Sequence, residues 1–175
     1  MLDGERIAIL VEPGFEHSEL FEPMRAMKEA GARVVLVGAN STQSYQSKNG
    51  EKSVTVEVTS DRAEAEDFEA IIIPGGHPLD GIRFRSSVID LVKKMHGLGR
   101  VVAAVCYGPQ LLISADIVRG RRLTSSLSIA EDLKNAGADW VDEPVVQDGN
   151  IITSGKVSNL PVFDLAIIKA VRNNS

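Results

Sequence analysis

The chain has 175 residues, of which 43% are hydrophobic and 25% charged, and its formal net charge is −5. This composition is typical of a compact soluble protein, which we expect to form one domain over residues 1–175, and it excludes a largely disordered chain. The acidic balance and the scattered basic residues also exclude the electrostatic footprint of a nucleic-acid-binding protein.

The amino terminus lacks the basic start and cleavage site of a signal peptide, and no apolar run approaches the ~20 residues of a membrane span. The single cysteine cannot form an intrachain disulfide, which fits a reducing compartment. We therefore expect a cytoplasmic protein with no membrane partner.

The first half of the chain predicts strands, one helix and a hairpin. Residues 7–11 and 34–37 are continuous apolar runs, as in strands buried on both faces. Between them residues 18–30 have helical apolar spacing, with Pro23 suggesting that the helix begins near it. The polar segment 41–52 contains Asn49-Gly50, which predicts a hairpin or flap before the next strand.

The second half repeats a strand-then-helix pattern. Apolar runs predict strands and amphipathic spacing predicts helices, and a Gly-containing turn predicts a short hairpin. The predicted strands are 71–73, 101–105, 145–146 and 151–152, and the predicted helices are 87–98, 110–115, 129–136 and 162–171. Buried strands alternating with helices indicate a doubly wound, mainly parallel α/β sheet with helices on both faces, whose sites form beyond the carboxyl ends of the strands.

Cys106 is the first candidate for chemistry. It follows an apolar strand and precedes Tyr107-Gly108-Pro109, so a sharp turn would place its sulfur at the start of the next helix. Helix amides and the helix dipole there would favour a thiolate and lower the thiol pKa. A buried, inert cysteine is the alternative, and the glycine-proline context argues against it.

Two further groups fall at the same edge of the predicted sheet. Gly75 and Gly76 follow a buried strand, and their N–H groups could hold an oxyanion. Glu16 and Glu19 follow the first strand three residues apart, and a protonated carboxyl of raised pKa could hydrogen-bond the sulfur. Alternatively, the two glycines form an ordinary turn at the end of a strand, and the two glutamates merely occupy favourable positions near a helix start.

The histidines and the glycine-rich turns of the sequence predict neither a metal site nor a cofactor site. The three histidines have no metal-ligand spacing, so we expect no metal, and only His77, directly after Gly76, is predicted near the cysteine. No glycine-rich turn has a dinucleotide-binding or P-loop pattern, so we expect no cofactor.

Several segments together resemble the PfpI family of intracellular proteases and its glyoxalase and deglycase relatives. They are residues 14–20, 73–76 and 103–112, with further matches at 136–142 and 148–150. The resemblance implies a flavodoxin-like fold of the class I glutamine amidotransferase-like type. It implies Cys106 as nucleophile on an elbow and Gly75 and Gly76 beside an oxyanion pocket. Glu19 matches the carboxyl that contacts the cysteine, and Glu16 is a second pocket acid.

The same resemblance implies a homo-oligomer with active sites near an interface, where Asp80 matches an acid donated by the neighbouring subunit. The chain also departs from the sequence pattern of this family at several positions. Protease-like members usually have histidine directly after the cysteine, where this chain has Tyr107, a poor base at neutral pH. Ser126 stands where a close relative has tyrosine, and residues 155–159 also differ, so the pocket chemistry is expected to have changed.

Three functions remain open at this point. The first is a cysteine-dependent enzyme that acts on small reactive carbonyls or their adducts, which tolerates Tyr107 because a carboxyl can move the protons. The second is a redox-sensing or chaperone-like stress protein with an oxidisable Cys106. The third is a cysteine peptidase acting on peptides, which needs a base from His77 or another subunit. A binding-only domain with a vestigial site is a further alternative.

Overall fold

The fold is described by a computed structural model that covers residues 1–39, 44–76 and 83–175. Within these residues a central sheet has seven strands, all neighbouring pairs being parallel except the one at the β10 edge. In spatial order the strands are β10 (Val145–Asp148), β11 (Ile151–Ser154), β7 (Val101–Val105), β6 (Ala70–Ile73), β1 (Arg6–Val11), β2 (Arg33–Gly38) and β5 (Val58–Thr59).

Helices cover both faces of this sheet. One face packs against α1 (His17–Glu29) and α5 (Leu160–Asn174), and the other against α2 (Ser86–Gly97), α3 (Pro109–Ser114) and α4 (Ala130–Asn135). The sheet separates two apolar clusters because side chains alternate along each strand: Ile7 and Ile9 face α1 and α5, whereas Ala8 faces the other three helices. This confirms the predicted doubly wound fold with buried central strands.

Two short sheets flank the large one. β3 (Ser44–Gln46) and β4 (Ser53–Thr55) form the predicted antiparallel hairpin, with Gly50 in its turn at φ +75°. Residues 41–43 of the predicted flap lie outside the described residues. β8 (Arg122–Leu123) and β9 (Asp139–Trp140) form a parallel pair that the sequence did not predict, because two-residue strands have no detectable periodicity.

The predicted start of α1 was wrong. The helix begins at His17, six residues before Pro23, although proline removes one helical hydrogen bond. Pro23 is itself buried, and Leu20 and Met27 on the same helix pack into the α1–α5 cluster, so tertiary packing outweighs the local preference. No helix in the described part of the chain is long and apolar enough to cross a membrane.

One ionisable side chain is buried between α1 and α5. Asp164 is 5% exposed, and its Oδ1 has no hydrogen-bond partner among the described residues. Burial raises its pKa to about 7, the negative charge of Glu22 adds to this rise, and Arg25 opposes it. Asp164 therefore favours its neutral form in the folded protein.

We expect Asp164→Asn to flatten the pH dependence of stability. An aspartate with a raised pKa in the folded state stabilises the fold fully below its ordinary pKa, and this contribution is lost as pH rises to about 7. Wild-type protein should therefore lose roughly 2–4 kcal/mol of unfolding free energy from this group between pH 4 and pH 8. Urea unfolding across this range measures the difference between wild type and variant.

The matched control is Asp132→Asn, at an exposed position on α4. Its stability curve should run parallel to that of the wild type. A parallel curve for Asp164→Asn as well would contradict the assignment of a buried, neutral carboxyl.

Candidate active site

Cys106 lies on a strained turn directly after β7. Its φ is +61°, in the left-handed region that residues with a side chain rarely adopt. Two hydrogen bonds hold this backbone: the Cys106 N–H donates to the Ser154 carbonyl at 2.9 Å, and its carbonyl accepts from the Ser126 N–H at 2.9 Å. The Gly108 N–H closes the turn on the Val105 carbonyl at 2.8 Å. This is the geometry predicted for an elbow that presents the sulfur at the end of the strand.

Glycine at position 75 is required by the space around the cysteine. A Cβ placed there would lie 2.5 Å from Glu19 Oε2 and 2.8 Å from Cys106 Cβ, closer than such atoms ever approach. A Cβ at Gly108 would lie 2.6 Å from the Ile73 carbonyl oxygen. The two glycines let β6, the elbow and α1 meet without an intervening side chain.

Glu19 is the nearest ionisable partner of the cysteine. Its side chain is 2% exposed, and its carboxyl interacts with the Cys106 thiol and with the Gly75 N–H. Oε2 accepts no well-formed hydrogen bond from the described residues. Burial raises the pKa of Glu19 to about 7, and the nearby charge of Glu16 adds to the rise. At neutral pH this carboxyl is therefore poised to give or take a proton.

The prediction of a low thiol pKa was wrong. Burial and the negative charge of Glu19 raise the pKa of Cys106 to about 12, although the Tyr107 N–H donates to the sulfur and opposes the rise. α3 has only six residues, so its dipole is too weak to outweigh these effects. Between pH 7 and pH 12 the Glu19–Cys106 pair thus holds one proton and one negative charge.

The remaining predicted residues occupy distinct positions. Glu16 is the residue before α1. Gly76 lies close to it: a Cβ on Gly76 would be 3.1 Å from the Glu16 backbone N, and the Gly76 φ of +115° also requires glycine. The Tyr107 ring packs against the cluster on the α2–α3 face, whereas Cys106 packs against the α1–α5 cluster. The contribution of Tyr107 to the thiol pKa comes from its backbone N–H.

The Gly75 N–H interacts with Glu19 and lowers the pKa of its carboxyl, and the predicted role of Gly75 as an oxyanion donor stays a prediction. His77 and Asp80 lie outside the described residues, so their predicted roles stay predictions. His17 is exposed, with its ring 4.7 Å from that of Phe21, and His96 lies near the opposite end of β7 from Cys106, where Asn150 binds its carbonyl.

Sequence reasoning missed the residues that hold the elbow. Ser126 and Ser154 contact Cys106 through backbone atoms only, so their residue types carry no signal of this role. The position of Ser154 follows from the fold, because β11 pairs with β7 in parallel register and places Ser154 beside Val105.

Comparisons with known proteins agree on one family. A model of the DJ-1/PfpI family matches residues 5–170. Protein/nucleic acid deglycase 2 of Escherichia coli and general stress protein 18 of Bacillus subtilis are each 37% identical over 162 residues, which cover 92% of this chain and 94% of the relative. A solved two-domain protein of Anabaena variabilis, with DJ-1/ThiJ/PfpI-like and ferritin-like domains, has a TM-score of 0.93 at 38% identity, covering 96% of this chain and 48% of that chain.

We expect Gly75→Ala to disrupt the site, because the added methyl group must displace Glu19, the cysteine or the β6 turn. Melting temperature and the rate of Cys106 alkylation by iodoacetamide should both change, with a loss of roughly 2–4 kcal/mol in stability from overpacking a rigid contact. Gly97→Ala is the matched control, since nothing lies within 4 Å of its added Cβ. Similar results for the two variants would contradict the steric argument.

We expect Glu19→Gln to change the pH profile of Cys106 alkylation. In the wild type Glu19 loses its proton near pH 7 and can then take the thiol proton as the sulfur reacts, so the alkylation rate should show a first step there and a second at high pH, where the thiol itself ionises. Glutamine cannot ionise, so the step near pH 7 should vanish and one transition should remain below pH 12, because the repelling charge is gone.

Glu16→Gln is the control for this experiment. It removes a more distant charge that raises both pKa values, so both steps should persist and move to lower pH. A Glu19→Gln profile identical to that of the wild type would show that this carboxyl does not control the thiol. The single cysteine makes the labelling site unambiguous.

Proposed function

This chain belongs to the DJ-1/PfpI family, and on that premise we propose that it is a cysteine-dependent enzyme acting on small reactive carbonyls or their adducts, as a glyoxalase or deglycase. The Glu19–Cys106 pair is the observation that carries the proposal. It joins a nucleophile to a carboxyl whose pKa of about 7 suits proton transfer at neutral pH. The naming of the Escherichia coli relative as a deglycase supports the same chemistry.

The pair can supply the first step without a histidine. In the form that carries one proton, Cys106 holds that proton and Glu19 is a carboxylate, because the pKa of the thiol is the higher of the two. Transfer of the proton from sulfur to Glu19 leaves a thiolate and a protonated carboxyl that face the substrate together. The sulfur adds to an aldehyde carbon, the carbonyl electron pair moves to oxygen, and Glu19 gives its proton to that oxygen. The product is a hemithioacetal on Cys106, and Glu19 is left as a carboxylate.

An α-oxoaldehyde then allows the cycle to close. The Glu19 carboxylate removes the proton from the former aldehyde carbon, and the neighbouring ketone oxygen takes a proton to give an enediol. Glu19 then returns its proton to the neighbouring carbon while the hydroxyl of the sulfur-bearing carbon loses its own, which gives the thioester of a 2-hydroxy acid. Water hydrolyses this thioester to a 2-hydroxy acid and restores the thiol. The oxidation of one carbon is balanced by reduction of the other, so the cycle consumes only water.

Backbone N–H groups support the developing charge. The Tyr107 N–H already donates to the sulfur, and the Gly75 N–H donates to Glu19 at rest. When Glu19 gives its proton to the substrate oxygen, the Gly75 N–H stabilises the carboxylate that is left, because this hydrogen bond lowers the pKa of Glu19.

A peptidase function is less well supported. Peptide cleavage needs a base for the thiol and an acid for the leaving amine, functions that histidine usually supplies. Of the described histidines, His17 is exposed on α1 and His96 lies at the far end of β7. The proposal retains a homo-oligomer in which a neighbouring subunit contributes Asp80, and size-exclusion chromatography with light scattering tests that part.

We expect Cys106→Ala to abolish turnover of methylglyoxal while the protein stays folded. Loss of the nucleophile should lower the rate of 2-hydroxy acid formation at least roughly 100-fold. Lactate release measured enzymatically gives this rate, and circular dichroism verifies the fold. Asp132→Asn on exposed α4 is the control and should match the wild type.

Two outcomes would redirect the assignment. Full turnover by Cys106→Ala would contradict the nucleophile. If the wild type turns over no aldehyde or adduct yet gains mass at Cys106 with peroxide, the redox-sensing stress function would replace the enzyme, consistent with a relative named general stress protein 18.

A further inference from the structure

A polar cleft opens beside the elbow, at the C-terminal side of the sheet. Its volume is about 420 Å³, within the range of roughly 300–1,000 Å³ for small-molecule sites. Ser126 and Gly155 both line it. Ser126 donates to the Cys106 carbonyl, and Gly155 follows the residue whose carbonyl accepts from Cys106. The cleft therefore begins next to the backbone of Cys106 and can hold the part of a substrate that does not react.

The cleft wall behind Ser126 is fixed by side chains. The Trp140 indole N–H donates to Ser125 Oγ at 2.9 Å, and Ser125 Oγ donates to the Ser126 carbonyl at 2.8 Å. Trp140 and Ser125 also line the cleft. Because Trp140 lines the cleft and is the one tryptophan of the chain, its fluorescence can report whether a ligand occupies the cleft.

Two opposite charges in the cleft lack partners. Three charged side chains line it, and Glu143 is paired with Arg122 at 2.8 Å. Asp142 and Lys156 are exposed, and neither side chain has an ion-pair or hydrogen-bond partner in the ranges 1–39, 44–76 and 83–175. They come from different loops, after β9 and after β11, so they can approach two oppositely charged groups of one bound molecule from two sides.

We propose that this cleft binds the α-ammonium and α-carboxylate of a free amino acid, Asp142 receiving the ammonium group and Lys156 the carboxylate. An unpaired anion and an unpaired cation in one small cleft match a zwitterion, whereas an internal residue of a protein has neither charge. The inference rests on the proposed function: it makes the preferred substrate a carbonyl adduct on the side chain of a free amino acid.

Binding is tested without any carbonyl, using L-arginine and its capped forms. Nα-acetyl-L-arginine lacks the ammonium charge, L-argininamide lacks the carboxylate, and Nα-acetyl-L-argininamide lacks both. Trp140 fluorescence and isothermal titration calorimetry measure each affinity on the wild-type protein. We expect removal of either charge to weaken binding about tenfold, a typical effect of one charge-assisted contact.

Variants assign each charge to its partner. Asp142→Asn should abolish the difference between L-arginine and its Nα-acetyl form, and Lys156→Gln should abolish the difference between L-arginine and its amide. Glu143→Gln is the matched control in the same cleft: because Arg122 already neutralises Glu143, both differences should remain.

The outcomes separate this inference from the proposed function. Equal affinities for all four ligands, or no saturable signal by either method, would overturn the zwitterion site whatever the enzyme turns over. Charge-dependent binding to a protein that converts neither methylglyoxal nor its arginine adducts would support the site and reject the carbonyl chemistry.

Discussion

Close approach of three chain segments at Gly75 is the constraint on which the site depends. The end of β6, the first turn of α1 and the elbow after β7 approach so closely that no Cβ fits between them. This approach excludes water from Glu19 and brings its carboxyl to the thiol. The raised pKa of the carboxyl is thus a consequence of main-chain packing around a residue that has no side chain.

Burial and proximity also explain why the local helix does not dominate the thiol. A six-residue helix behind the cysteine offers a small dipole and a single N–H contact, from Tyr107. Removing the sulfur from water and placing it beside a carboxyl act in the opposite direction and are stronger. The two groups are best regarded as one acid that titrates in two steps, with a proton that either atom can hold.

The sequence predicted those features that depend on a short local stretch of residues. Apolar runs located the buried strands, and the glycine-proline context after Cys106 located the elbow, where a Cβ at Gly108 would lie 2.6 Å from the Ile73 carbonyl oxygen. It failed where the outcome was a balance between distant groups. Pro23 inside α1 and the thiol pKa depend on tertiary packing, and the backbone contacts of Ser126 and Ser154 leave no mark on residue type. A binding role for Asp142 and Lys156 could not be predicted from the sequence, because it depends on two separate loops lining the same cleft.

The backbone of Cys106 bears on how this protein can change over generations. A left-handed conformation at a residue with a Cβ is a local cost to the fold, one that glycine would relieve. Reactivity and folding therefore favour different residues at position 106. A lineage released from selection for its chemistry could exchange the cysteine for glycine and become more stable. Inactive descendants would then be well-folded proteins, recognisable by glycine at position 106 and not by any defect in the fold.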